Sequence, residues 1–259
     1  MNGKVSNDEQ LINLISWLDI KDIKKVKIEK IYHKIYYYFM FFLLGLFNKF
    51  IIVGDANSVL FKFLKLFYKK EKFILLDDGV ATIGNKSIND NFKRFTIFPE
   101  HVKNHVENEF VNVKKLIDKS VGLEKKHIIV GAKFVDSGIC DRGTYIAAIK
   151  EVIKHVKVDA CLYIPHRGES NSELQAIKQT LSLNIIRLNL PIELISLEAK
   201  IYPLSISHTL STAVFSMNKI YDAPIYTYQI PENKLIQRKA PIENLYKVIR
   251  SKNFSKFIN

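Results

Sequence analysis

The sequence predicts an α/β protein made of two Rossmann-like halves, and three observations carry that expectation. Phe73-Ile74-Leu75-Leu76 runs straight into Asp77-Asp78-Gly79, the pattern of a buried parallel strand that ends on polar groups. Helix-like and strand-like segments alternate along the chain, the order that builds a parallel sheet with crossover helices. The alternation gives way to a more polar stretch over residues 83–126 and then restarts at His127.

Taken in order, residues 10–18 read as a helix, and residues 24–31 alternate Lys with Val and Ile like a half-exposed strand. Residues 35–47, IYYYFMFFLLGLF, form an apolar run flanked by Lys34 and Lys49. The run is shorter than the roughly 20 residues a spanning helix needs. It reads as a buried helix; the alternative is a helix face lying on a membrane, where Tyr and Phe favour the interface and Lys meets anionic lipid. Phe50-Ile51-Ile52-Val53 is a short buried strand ending at Gly54, a helix follows to residue 66, and residues 73–76 are the next strand.

In the second half, residues 127–130 form a strand ending at Gly131-Ala132-Lys133-Phe134, and residues 143–155 a helix. Residues 158–164 form a strand ending at Pro165-His166-Arg167-Gly168-Glu169-Ser170, followed by a helix over 172–181 and a strand over 184–187. A short helix opens at Pro191. Residues 202–205 are a strand, the segment from Ser207 to Thr212 leads into a helix to Met217, and residues 223–228 are the final strand. The basic stretch 246–258 is either a last amphipathic helix or a second membrane contact. The expected domains are 1–115 and 116–259, the first apparently shortened because it opens on a helix where a strand is usual.

The formal net charge is +13 over 259 residues. That balance points to an anionic partner: nucleic acid, an acidic membrane surface, or a phosphorylated or acidic substrate. A plain Lys-rich solvated surface is the alternative. Lys outnumbers Arg, which weakens the case for bidentate readout, and no nucleic-acid-binding module is recognisable, so no nucleic-acid partner is expected. Cys140 and Cys161 have no zinc-ligand spacing, and their scarcity fits a reducing cytosol. No secretory leader is expected, because residues 1–10 are polar. No GxGxxG or Walker loop is present, which argues against a dinucleotide cofactor and ATP hydrolysis. A metal-dependent hydrolase built on Asp77, Asp78 and His166 lacks a DxD or HxH partner motif.

Three strand-end motifs carry the candidate chemistry. In open α/β sheets ligands bind outside the carboxyl ends of the strands, so Asp77 and Asp78 are candidate catalytic acids; the alternative is an Asx-type turn. His166 and Arg167, led in by Pro165, suit an anionic group, or are a surface loop. Ser211 and Thr212 at a helix N-terminus offer hydroxyls and free N–H groups to an anion, unless Ser207 or Thr209 simply caps that helix. Gly131 at a strand end lets backbone approach a ligand.

In this order the three motifs resemble the bacterial sialyltransferases, where an acidic pair with glycine, a histidine-proline motif and a serine-serine or serine-threonine motif follow one another. Here they stand as Asp77-Asp78-Gly79, His166-Arg167 and Ser211-Thr212. Over residues 50–228 the chain is similar to the lipooligosaccharide sialyltransferases (glycosyltransferase family 52) and the related capsular polysialyltransferases. The resemblance implies a GT-B fold, two Rossmann-like domains facing a cleft, with CMP-sialic acid as donor, inversion at the anomeric carbon, and neither metal nor cofactor. It implies Asp77 as general base, supported by Asp78 and Gly79. It implies His166 as the group that protonates or hydrogen-bonds the departing CMP phosphate. Ser211 and Thr212 would hold that phosphate, with Gly131, Lys133, Pro165 and Arg167 on the donor side. The acceptor would be a terminal sugar, galactose by expectation, on a lipooligosaccharide or capsular glycan. The chain would work in the cytoplasm, peripherally on the inner face of the bacterial membrane. Arg167 departs from the family pattern by replacing proline. Another nucleotide-sugar transferase on the same scaffold, or a non-catalytic basic binder, remain the competing classes.

Overall fold

The computed structural model describes residues 12–14, 16–17, 31–54, 56, 58–77, 92–156, 161–251, 253 and 255–258. The chain divides into two compact units: residues 22–109 with Met1, and residues 2–21 with 110–259.

The first unit is a four-stranded, all-parallel sheet in the order β1-β2-β3-β4, with β1 at Ile51–Val53, β2 at Phe73–Leu76, β3 at Lys93–Thr96 and β4 at His105–Glu107. Helix α1 spans Ile31–Phe47 and α2 spans Val59–Leu64. Ser58 starts α2 by accepting a hydrogen bond at Oγ from the Phe61 N–H at 3.2 Å, which satisfies one of the donors a helix start leaves open. The core is aromatic. Phe61 meets Phe73 edge-on with ring centroids 5.3 Å apart and Phe92 at 5.5 Å, a geometry the ring quadrupoles favour. Strand β2 alternates, with Phe73 and Leu75 buried and Leu76 exposed. It is therefore covered on one face, where the unbroken apolar run predicted burial on both.

Helix α1 corrects the expectation of a buried helix. Gly45 is its one buried residue among those described, because a side chain there would strike the Tyr68 ring 2.7 Å away. Tyr38 stacks on Phe63 and Phe42 packs on Phe67 and Tyr68. Ile35, Tyr36, Phe39, Phe41, Leu44, Leu46 and Phe47 are exposed, Phe47 at 86%. The helix is apolar around most of its circumference, and a single neighbouring helix covers only one side. The predicted strand over 24–31 lies outside the described residues except Ile31, which opens α1.

The second unit holds six parallel strands in the order β10-β9-β8-β5-β6-β7. In chain order these are β5 (Glu124–Val130), β6 (Cys161–Ile164), β7 (Asn184–Ile185), β8 (Ile201–His208), β9 (Ile225–Tyr228) and β10 (Lys256–Ile258). The chain winds outward from β5 through β6 to β7, returns to β8 beside β5, and winds the other way to β10. This is the doubly wound order of a Rossmann sheet, with its switch point between β5 and β8. Helices α3 (Val111–Asp118), α4 (Arg142–Val156), α5 (Asn171–Leu181), α6 (Ile195–Glu198), α7 (Ala213–Tyr221) and α8 (Lys239–Ser251) make the connections.

Burial explains the central strands. His127 to Val130 and Ser205 to His208 are all buried, so the middle of the sheet is covered on both faces, with His127, Ser205, Ser207 and His208 as buried polar groups. On α4 Tyr145, Ala148, Ile149 and Val152 are buried, spaced to share one helix face. Each such Ile or Val contributes about 1.5–3 kcal/mol by leaving water. The C-terminus corrects the reading of 223–228 as the last strand. Helix α8, buried through Ile242, Tyr246 and Ile249, ends at Ser251, and Lys256–Ile258 adds a strand beside Tyr226–Tyr228. That three-residue strand exists only because an edge is there to pair with, and no local pattern announces it.

Candidate functional site

A cavity of about 550 Å³ opens outside the carboxyl ends of β5, β6 and β8, at the switch point of the second sheet. Crossovers leave opposite sides of the sheet on either hand of a switch point, so the loops diverge and leave a crevice there. Gly131 follows β5, Pro165, His166 and Arg167 follow β6, and Ser211 and Thr212 follow β8; all six line this one cavity. Far-apart sequence motifs are thus gathered by strand order. Lys133 is not among the lining residues. Its aliphatic stem lies against Gly168, where a side chain would come within 2.9 Å of it.

The His166 ring turns back on its own loop, and Nδ1 accepts from the Gly168 N–H at 3.0 Å. In the neutral ring the proton is then on Nε2, which makes that nitrogen a donor. Arg167 is exposed beside Glu193. Burial raises the Glu193 carboxyl above its ordinary pKa, and the Arg167 charge pulls it partly back.

Ser211 and Thr212 enter the cavity on terms different from those expected. The Ser211 N–H is not free: it donates to Nδ1 of His208 at 2.9 Å. His208 is fully buried at the end of β8, and its Nε2 lies 2.8 Å from the Thr227 hydroxyl on β9. Burial holds His208 neutral, with its pKa lowered to about 3. With Nδ1 accepting, Nε2 carries the proton and donates to Thr227. Thr212 occupies the N-cap position of α7 but its side chain makes no capping bond. The expected alternative cappers, Ser207 and Thr209, do not supply one either: both hydroxyls are buried without a partner among the described residues. The two lining hydroxyls therefore stand at an uncapped, positively polarised helix start.

Gly131 has a clear steric reason. A β-carbon there would collide with Oε2 of Glu169 and approach the Tyr163 hydroxyl to 2.5 Å. The glycine admits a protein carboxylate beneath the cavity floor, which is a different demand from the close ligand approach its strand-end position predicted.

Asp77 lies at the carboxyl end of β2 in the first unit. Its Oδ2 accepts from the Ile97 N–H at 2.7 Å, tying it to the end of β3. Its Oδ1 is buried and has no hydrogen-bond partner among the described residues. Burial raises the carboxyl above the usual Asp pKa, opposed by the Ile97 N–H, the nearby Thr96 hydroxyl and the Arg94 charge. One carboxylate oxygen is thus fixed by the backbone after β3, and the other is buried with no partner among the described residues. Asp78 and Gly79 lie outside the described residues.

Sequence reasoning missed four polar members of the cavity wall. Arg187, read as the end of a strand, is in a loop, because β7 stops at Ile185. Asn189 and Glu193 line the same wall, and Asn13 joins it by donating from Nδ2 to the Asn189 carbonyl. Glu169 was read as part of the His166 loop without a role; a Glu three residues after a strand-end His was the available signal. Among the described residues no group of three or more His, Cys, Asp or Glu side chains is placed to hold a metal ion.

No protein-family model matches the chain, and no curated protein matches it. Among solved structures it is similar to the crystal structure of a glycosyltransferase from Rickettsia africae ESF-5. The two share 8% identity at a TM-score of 0.44, over 93% of this chain and 77% of that one.

Proposed function

We propose that this protein is a metal-independent, inverting sialyltransferase that moves sialic acid from CMP-sialic acid to a terminal sugar, galactose by preference, of a lipooligosaccharide or capsular glycan. The observation that carries the reading is the convergence of Gly131, Pro165, His166, Arg167, Ser211 and Thr212 on one cavity at a sheet switch point. A phosphate seated there meets the Nε2 side of His166, the Arg167 charge, two hydroxyls and the start of α7. CMP is a good leaving group, so the chemistry asks mainly for charge neutralisation as the phosphate departs. Removing one positioned donor of this kind costs about 10²–10³ in rate. Asp77 serves as general base toward the acceptor hydroxyl through Oδ1, the oxygen without a partner among the described residues, a contribution of roughly 10²–10⁴. Lys133 acts from the flank of the His166 turn.

The apolar surface of α1 supports peripheral attachment to an anionic membrane, next to exposed Lys49, Lys62, Lys65, Lys69 and Lys70. No described helix is long and apolar enough to cross a membrane.

The decisive experiment follows CMP release from CMP-sialic acid with and without a galactose-terminated acceptor. His166→Ala lowers release by at least 10²-fold in both settings, and Asp77→Asn lowers only acceptor-dependent transfer. Equal release by wild type and His166→Ala would sink the reading. Release from a UDP- or GDP-sugar instead would move the protein to another donor class on the same scaffold.

A further inference from the structure

Beneath the floor of the cavity a buried relay of polar groups links three strand-end loops. The Ala132 N–H donates to the Tyr145 hydroxyl at 2.7 Å, Tyr145 and Tyr163 hydroxyls lie 3.1 Å apart, and the Tyr163 hydroxyl donates to Oε1 of Glu169 at 2.6 Å. With Glu169 ionised the order is fixed: Tyr163 gives its proton to Glu169, so Tyr145 gives its own to Tyr163. The other oxygen of Glu169 accepts from the His166 N–H. Arg187 donates to the Glu169 carbonyl oxygen and to Oδ1 of Asn171 at 3.3 Å. Glu169 is 4% exposed and occupies the space that only a glycine at 131 leaves open.

We propose that Glu169 is a positioning residue that holds the His166 turn, and that an anion seated on His166, Ser211 and Thr212 binds together with one proton taken up by this carboxyl. The proposal rests on the reading of the cavity as an anion site. An anionic guest above the floor and a carboxylate just below it repel, and Glu169 lies against two residues that line the cavity, Gly131 and His166. The groups facing Glu169 are the Tyr163 hydroxyl from β6, with the Tyr145 hydroxyl behind it from α4, Asp136 after β5, and Arg187 after β7. Asp136 opposes the charged form and Arg187 favours it, while burial is the largest influence and pushes the carboxyl up to about 7. The proton therefore exchanges near neutral pH. Protonation leaves the second oxygen accepting from the His166 N–H, so the turn is kept while the buried charge is removed.

The test is calorimetry on the full chain with the methyl ester of CMP, a phosphodiester whose charge does not change near neutrality. Titrations at pH 7.5 in two buffers of different protonation enthalpy count the protons. Wild type takes up more than about half a proton, and its affinity falls toward about tenfold per pH unit from pH 7 to 8.5. Glu169→Gln binds with no such uptake and little pH dependence. Uptake that persists in Glu169→Gln belongs to the His166 imidazole and overturns the proposal, as does no uptake in wild type. A carbon-13 titration of the Glu169 carboxyl in the ligand-free wild type is independent of any variant's folding. A midpoint in the ordinary range near 4.3 overturns the idea outright. If the ester does not bind, sulfate replaces it. Sulfate bound with a proton keeps the proposal while the nucleotide reading falls, and failure of both anions overturns both.

Discussion

At the scale of single residues, Gly131 and His208 support the cavity from behind, one by the room it leaves for Glu169 and the other through the Ser211 N–H. Gly131→Ala forces a methyl group against Glu169 and Tyr163. Overpacking of this kind costs about 1–3 kcal/mol, so urea unfolding shifts to lower denaturant with an unchanged slope, and nucleotide affinity falls as the floor is displaced. An unchanged midpoint would mean the relay yields easily. His208 gives a pH prediction of known sign. Its pKa is lowered to about 3 in the fold, against an unfolded value near 6.5. The unfolded chain binds the proton first, so this contribution to stability is complete above pH 6.5 and drains away as pH falls toward 3. Protonation of His208 Nδ1 also ends its acceptance of the Ser211 N–H. In a pH series from 7 to 4, thermal midpoints of wild type fall, and those of His208→Gln fall less steeply.

At the scale of elements, α1 is the informative one. Ile35, Phe39, Leu43 and Leu46 recur at spacings of four, four and three, which places them along one face, with Tyr36 and Phe47 beside it. All but Leu43 are exposed. Replacing Phe39 and Phe47 with Ser removes apolar surface that already faces water, so stability in solution changes little. Flotation with vesicles containing phosphatidylglycerol falls several-fold if this face docks on lipid. Undiminished flotation of the double variant would assign membrane contact elsewhere. The run was legible as helical from its length and composition. Its exposure was not, because an apolar segment reads alike whether a protein core or a lipid surface covers it.

At the scale of the whole molecule, the +13 charge bears on the same vesicle assay. Attraction of Lys side chains to anionic lipid is screened within about 8 Å at physiological salt. Binding therefore weakens as salt rises from 50 to 500 mM, and neutral phosphatidylcholine vesicles bind least. Salt-independent binding would leave only the apolar face as its cause.

The sequence by itself determined the class of the protein and the places where chemistry is concentrated. Alternation of helical and strand-like segments marks parallel α/β architecture, and the apolar run Ile128 to Val130 marks a strand buried on both faces. Proline, glycine and clustered polar residues mark strand ends, and so Pro165-His166-Arg167 and Ser211-Thr212 stood out. Tertiary structure alone decided which of those ends meet. The winding order β10-β9-β8-β5-β6-β7 puts the ends of β5, β6 and β8 around one cavity, and strand order is a property of long-range pairing that no local pattern encodes. It also decided what supports the site. Glu169 under Gly131 and His208 behind Ser211 act across 38 and 3 residues of chain respectively, by burial and hydrogen-bond geometry that appear only once the sheet is assembled.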